Sequence, residues 1–440
     1  MFFSGSRGRG SRWKDEGGAA LPWRPFIDAV GAGITASDDA ANGKTVITIP
    51  GATGGGGLPD GVFTPAMYGG LGDGSHDDTA ALQAAFDAAR AYKTTYGQGT
   101  VLITPGIWRI TGPIDVNGAS NDHFTGMALM GMGGFWNCVI KFDPPNFAGY
   151  SSTNPLTMLN WSHNNSNYEG WNRISDIWFQ GPGSGSTWGA KPARCLNLTD
   201  ESDWSTWPQG AGGPAYIDKG GHYFTTVSGC RFDNWQYAIT GFGTLVNRFY
   251  NLLIENVWKG FYLEGRSQSY NPGANANIFR DCRYVGCTEG AYAYGGAGNF
   301  AHIVGSGSYI DGGNFEFFQT APGTGIGSLG GTGYQGAVVL ENGGEGGVTK
   351  IGNIWFESGL APIGINIVSA ADPTIISHNR YVFGETIKIG NGVTMPVVIT
   401  ECHGGGLAAS SATAPVRVQR CKSFTTAGTG LPNLVVTDAF

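Results

Sequence analysis

Hydrophobic and polar positions alternate over short runs along most of this chain, and a single stretch carries a helical period. In residues 80–90, Leu82, Ala85, Phe86 and Ala89 recur at three- and four-residue steps behind Asp78 or Thr79. This predicts one short amphipathic helix with its N-cap at Asp78 or Thr79. Past it, Gly99-Thr100-Val101-Leu102-Ile103-Thr104-Pro105-Gly106-Ile107-Trp108-Arg109-Ile110 reads as strand, Pro-Gly turn and strand. Upstream, Gly33-Ile34-Thr35-Ala36-Ser37 and Lys44-Thr45-Val46-Ile47-Thr48-Ile49 flank an Asp/Asn/Gly cluster. That pattern predicts a small hairpin.

From about residue 172 the strands fall into a loose repeat. Cys230-Arg231-Phe232-Asp233-Asn234-Trp235, Leu252-Leu253-Ile254-Glu255-Asn256-Val257 and Cys282-Arg283-Tyr284-Val285-Gly286-Cys287 share one plan of short apolar strand, outward polar position and tight turn. Aligning Phe232 with Ile254 and Ile254 with Tyr284 gives periods of 22 and 30, and aligning Trp355 with Val382 gives 27. Periods in this range with variable loops predict a β-solenoid, in which each coil buries its apolar side on the next. Composition agrees. Of 440 residues 75 are Gly, above twice the average of about 7%, as corners repeated in every coil require. Charged residues are only 13% and hydrophobic ones 41%, which excludes both an all-helical protein and a disordered one. The predicted organisation is a small β module in residues 1–57 ending in the Gly54–Gly57 hinge, an entry segment with the helix in 58–98, the solenoid in 99–403 and a β tail in 404–440.

The formal net charge is −7 and no basic stripe is present, so nucleic acid is not an expected partner. No stretch approaches a membrane span, and the amino terminus lacks the apolar run of a signal peptide. Seven cysteines at 138, 195, 230, 282, 287, 402 and 421 show no paired ligand spacing and read as buried thiols. Seven histidines include no HExxH, so neither a zinc site nor another cofactor is expected. Asn42-Gly43-Lys44-Thr45 imitates the end of a phosphate-binding loop, yet position 38 is Asp where that loop needs Gly.

The run Met67-Tyr68-Gly69-Gly70-Leu71-Gly72-Asp73-Gly74-Ser75-His76-Asp77-Asp78-Thr79, its helix and residues 99–110 resemble the entry motif of pectate-lyase-like parallel β-helices, especially those of bacteriophage tailspikes. The resemblance implies an all-β, single-stranded right-handed parallel β-helix with a short capping helix and a small N-terminal β module. It further implies a homotrimeric virion protein of the phage tail, attached to other virion proteins through residues 1–57 and facing a host surface polysaccharide. A tailspike or tail fibre that binds and degrades the polysaccharide, a non-catalytic adhesion or decoration protein, and an exported lyase without its leader all stay open, because the fold hosts each.

Candidate chemistry follows from the repeat. Asp233 and Glu255 fall at equivalent outward positions in neighbouring coils, about 4.8 Å apart along the backbone. Carboxylates about 5 Å apart suit a retaining glycosidase; solvated surface acids are the alternative. Glu357, in Trp355-Phe356-Glu357, stands in a similar local position. Tryptophans crowd residues 161–258, and Trp188, Trp204, Trp207, Trp235 and Trp258 are the candidates for stacking on sugar rings, with core or trimer contacts as the competing role. The first three lie in what reads as a long inserted loop, residues 181–221. Asp200-Glu201-x-Asp203 lacks the spacing of a calcium loop and reads as an acidic turn.

Overall fold

The computed structural model describes residues 35–39, 44–48, 58–116, 126–151, 154–161, 169–183, 190–198, 222–242, 244–264, 274–286, 299–305, 307–317, 336–341, 347–358, 363–382, 386–407, 412–426 and 431–437. The chain divides into two compact units, Met1–Asp60 and Gly61–Phe440. In the first, Thr35–Asp39 pairs antiparallel with Lys44–Thr48, Thr35 opposite Thr48 and Asp39 opposite Lys44. This is the hairpin that its β-branched runs predict.

The second unit is a parallel β-helix with three faces. The first face runs from Val62–Phe63 and Gly99–Ile103 to Val416–Gln419 and Leu434–Thr437. The second runs from Asp73–Asp77 and Gly106–Ile110 to Arg380–Tyr381. The third, from Ile114–Asp115 to Gly406–Leu407, is a ten-stranded sheet. Every pairing between these strands is parallel, and parallel crossovers in one sheet are right-handed because twisted strands pack back only that way.

Register turns each inward position into a column. Val227, Phe249, Phe279, Ile310 and Ile351 follow one another on the first face, and each is at most 1% exposed. Full burial of such a side chain contributes about 1.5–3 kcal/mol, so each coil is stabilised by the next. The predicted alignments of Phe232 with Ile254 and Ile254 with Tyr284 are the observed ones. Trp355, however, pairs with Arg380 and not with Val382. A slip of two residues preserves which face a side chain takes, so alternation alone could not detect it. The ladder also passes the expected boundary at 403, since Val397–Thr400, Val416–Gln419 and Leu434–Thr437 stack in succession.

The helix spans Thr79–Tyr96, longer than its periodic core. Leu82, Ala85, Phe86 and Ala89 are fully buried, and Phe86 meets Trp161 edge to face at 6.2 Å, so the helix covers the first coil. Gly99 is required beside it: a Cβ there would lie 2.0 Å from the Ala89 carbonyl oxygen. Asp78 does not cap the helix with its side chain. Its buried carboxylate instead accepts from the Leu71 and Gly72 amides at 2.8 and 3.2 Å, while Asp77 accepts from Thr79 N.

The corner between first and second faces is a single left-handed residue, for example Asp176 (φ 62°), Asn251 (φ 50°) and Asn353 (φ 57°). Asn and Asp enter this region at low cost. In the next coil Gly229 (φ 61°) takes the same corner, and a Cβ there would meet the Asp176 carboxylate oxygen at 2.7 Å, so that side chain would have to move aside. Buried asparagines close the corner between third and first faces. Asn247 Oδ1 accepts from Thr225 N at 2.8 Å, and Asn247 N donates to Asn277 Oδ1 at 3.2 Å. The six described cysteines are buried and unbridged; Cys287 lies outside the described residues.

The Asn247→Ala variant leaves the buried Thr225 amide without its acceptor and is expected to lose about 1–3 kcal/mol of stability. A denaturant titration of the full chain measures it; an unchanged midpoint would show that the corner asparagines do not hold the coils together.

Candidate functional site

On the outside of the second face, alternate positions form two columns. One contains Trp178, Arg231, Leu253, Arg283, Asn314, Trp355 and Arg380 in succession. The other contains Lys141, Gln180, Asp233, Glu255, Val285, Glu316 and Glu357. Asp233 and Glu255 are therefore direct neighbours across one rung, as their repeat positions predict. Glu357 stands in the same column, three rungs beyond Glu255.

Arg231 organises the centre of this face. Its guanidinium lies 2.7 Å from Glu255 Oε2 and 3.7 Å from Asp233 Oδ2. The same group stacks over Trp178, 4.1 Å from the ring centroid, and lies 5.0 Å from that of Trp136. Trp136, projecting from the turn of the coil before, meets Trp178 edge to face at 6.0 Å and is 63% exposed. A cation held against an indole face gains quadrupole attraction that strengthens as water is excluded. Two donors at this spot, Trp178 Nε1 and Arg231 Nε, are buried without a hydrogen-bond partner.

Asp233 is 6% exposed. Burial raises its pKa above the usual carboxylate range; the Asn256 amide at 3.3 Å and the Arg231 charge work against that rise, and the Glu255 charge adds to it. Asn234 (φ 64°) and Asn256 (φ 50°) turn the chain directly after the two acids, which fixes where both carboxylates stand. Farther along, Arg283 pairs with Glu316 at 3.0 Å, and Arg380 lies 4.3 Å above the ring of Trp355, which is 41% exposed. Chemically, the face offers apolar ring surfaces for stacking, guanidinium donors, and one buried carboxyl beside an ion-paired carboxylate.

The tryptophan expectations are corrected at two positions. Trp235 is fully buried, donates from Nε1 to the Phe179 carbonyl at 2.9 Å and stacks on Phe142. Trp258 is 4% exposed and packs on Tyr237. Trp235 directly follows the left-handed Asn234 and is turned into the core, whereas Trp258 comes two residues after Asn256 and is covered by Tyr237 and Lys259, so neither presents an open ring to a ligand. Trp188, Trp204, Trp207 and the Asp200-Glu201-x-Asp203 turn lie outside the described residues. Trp136, Trp178, Arg231 and Trp355 are the residues that sequence reasoning did not single out; the in-register match of Trp178-Phe179-Gln180 with Arg231-Phe232-Asp233 was the available signal. Among the described residues no group of three or more His, Cys, Asp or Glu is arranged to hold a metal ion.

A second polar cluster lies on the third face. Lys259 Nζ is 3.0 Å from His302 Nδ1, and His302 Nε2 is 3.0 Å from Glu341 Oε1. Tyr262 and Trp258 put their rings 4.6 and 5.2 Å from the amine. Burial lowers Lys259 from 10.5 to about 7, opposed by the Glu341 charge. Burial, then the Lys259 charge, lowers His302 from 6.5 to about 4.

No protein-family model and no curated protein matches this sequence. Among solved structures, the surface adhesin PfbA of Streptococcus pneumoniae is 12% identical, with 86% of this chain and 91% of that one covered and a TM-score of 0.48. ORF18 of Geobacillus virus E2 is 12% identical over 93% of this chain and 68% of its own, TM-score 0.42. WceF of Pantoea stewartii, described as a glycan biofilm modifying enzyme with a bacteriophage tailspike-like parallel beta-helix fold, is 14% identical over 79% of this chain and 37% of its own, TM-score 0.44. These likenesses are in fold.

The third-face cluster sets a pH dependence. Between about pH 4 and 6.5 at His302, and between about pH 7 and 10.5 at Lys259, the unfolded chain holds a proton that the folded chain does not. Stability is therefore expected to rise with pH through both windows and to fall as acid is added. Replacing Lys259 by Met is expected to flatten the rise above pH 7 in thermal melts; an unchanged slope would place the amine in water.

Proposed function

We propose that the second face binds a polysaccharide of a bacterial surface. The observation that carries this reading is the pair of outward indoles, Trp136 at 63% exposure on a turn and Trp355 at 41% on a rung, beside guanidinium and carboxylate groups. Sugar rings stack an apolar face on indole while their hydroxyls bond to charged groups at the rim. The likeness of residues 67–110 to a tailspike entry segment supports a virion setting. There, residues 1–57 attach to the particle, three copies associate, and the solenoid meets the host glycan during adsorption.

A second reading, cleavage, is favoured by the burial of Asp233 beside Glu255. In a retaining reaction Asp233 gives its proton to the glycosidic oxygen while the Glu255 carboxylate attacks the anomeric carbon, and water then releases the sugar. Arg231 would hold Glu255 in place for the attack.

Purified capsular polysaccharides and lipopolysaccharide O-chains, immobilised as a panel, test the binding reading. Retention of at least one is expected, with a loss of about tenfold in Trp136→Ala, equivalent to about 1.4 kcal/mol. Equal retention of wild type and Trp136→Ala would move binding off this face. For cleavage, Asp233→Asn is expected to abolish release of oligosaccharides and keep retention; unchanged release would remove the pair from the chemistry.

A further inference from the structure

The second face carries the same small construction twice. In the first, Trp178-Phe179-Gln180 lies beside Arg231-Phe232-Asp233, with Arg231 stacked over Trp178 outside and Phe179 stacked on Phe232 inside at 5.1 Å. In the second, Trp355-Phe356-Glu357 lies beside Arg380-Tyr381, with Arg380 stacked over Trp355 outside and Phe356 on Tyr381 inside at 4.9 Å. Each is a Trp rung followed by an Arg rung in one column, braced from within by a parallel aromatic pair. The buried pair fixes the strand that carries the outer ring, so both platforms are rigid.

Five rungs separate Trp178 from Trp355, through Arg231, Leu253, Arg283 and Asn314. At about 4.8 Å per rung the platforms are about 24 Å apart. Between them lie polar groups that suit hydroxyls. Arg283 and Glu316 form an ion pair, and Asn314 Nδ2 donates to the same Glu316 carboxylate at 2.9 Å. A pyranose in an extended glycan advances by a distance close to one rung, so a linear polymer lying along the solenoid axis stays in step with the columns.

We propose that the Trp355–Arg380 pair, with Glu357 beside it, is a second carbohydrate subsite for the same hydroxyl-bearing pyranose repeat that the Trp136–Trp178–Arg231 platform takes, so that one glycan chain spans both. This rests on the polysaccharide reading above. Two weak subsites joined by one ligand act through effective concentration, so affinity climbs with ligand length once both are reached.

The test uses the full chain and size-fractionated, mild-acid fragments of whichever panel polysaccharide is retained, followed by calorimetry. Wild type is expected to bind two short fragments per chain and Trp355→Ala one. Fragments long enough to reach both platforms are expected to bind wild type about 100-fold more tightly than short ones. That gain disappears in Trp355→Ala and in Arg380→Ala, while short-fragment affinity at the first platform stays and thermal melts confirm folding. One short fragment per wild-type chain, with a length dependence unaltered by Trp355→Ala, would overturn the second subsite and leave the binding reading standing. A fall in molar mass of Trp355→Ala by light scattering, with glycan binding intact, would assign the pair to contact between copies and also overturn it. Retention of no polysaccharide would remove the binding reading and this inference together.

Discussion

Parallel backbone pairing at a fixed spacing is the constraint on which everything else here depends. Each rung hydrogen-bonds to the one before and the one after at about 4.8 Å, so a side chain can be placed only in a column set by register. Inward columns become a continuous apolar core, and outward columns become linear arrays of whatever the sequence supplies. The corners obey the same rule. A left-handed residue at the corner keeps the ladder in step, an Asn, Asp or Gly in most coils and His378, Glu401 and Arg420 in the last three.

That constraint explains how a chain with only 13% charged residues builds a polar surface of definite geometry. Arg231 reaches Glu255, Asp233 and Trp178 because register sets their rungs directly against its own. The guanidinium moderates two close carboxylates while burial keeps Asp233 high, so the two acids sit in unlike surroundings. Unlike surroundings at neighbouring carboxyls are what acid and base chemistry on a sugar needs. The third face follows a different logic. Its Lys259, His302 and Glu341 are linked in series and largely withdrawn from water, which fits a structural network better than a surface for ligand.

The fold was legible because its signals are local. Strand alternation, corner residues, the helix before Gly99 and the Phe232–Ile254–Tyr284 register all lie within short stretches. The Asp233 and Glu255 adjacency came with that register. The failures share a cause as well. Trp235 and Trp258 looked like ligand platforms by residue type, yet Trp235 follows a corner that sends it into the core and Trp258 is covered by Tyr237 and Lys259. Trp355 was set against Val382 and not Arg380, since a slip of two residues leaves the alternation intact, and its stack with Arg380 was hidden by that error. His302 lies 43 residues from Lys259 and 39 from Glu341, and no local pattern joins residues across coils of unequal length.

The central claim is that the second face, through its Trp and Arg rungs, is where polysaccharide sits. Hydrogen exchange of the full chain, with and without a retained polysaccharide, tests it directly. Slowed exchange is expected in the segments carrying Trp136, Trp178, Arg231, Trp355 and Arg380, with the third-face strands Lys259–Glu264 and Asn299–Val304 unchanged. Protection confined to those third-face strands, with the second face exchanging as in the free protein, would contradict the account.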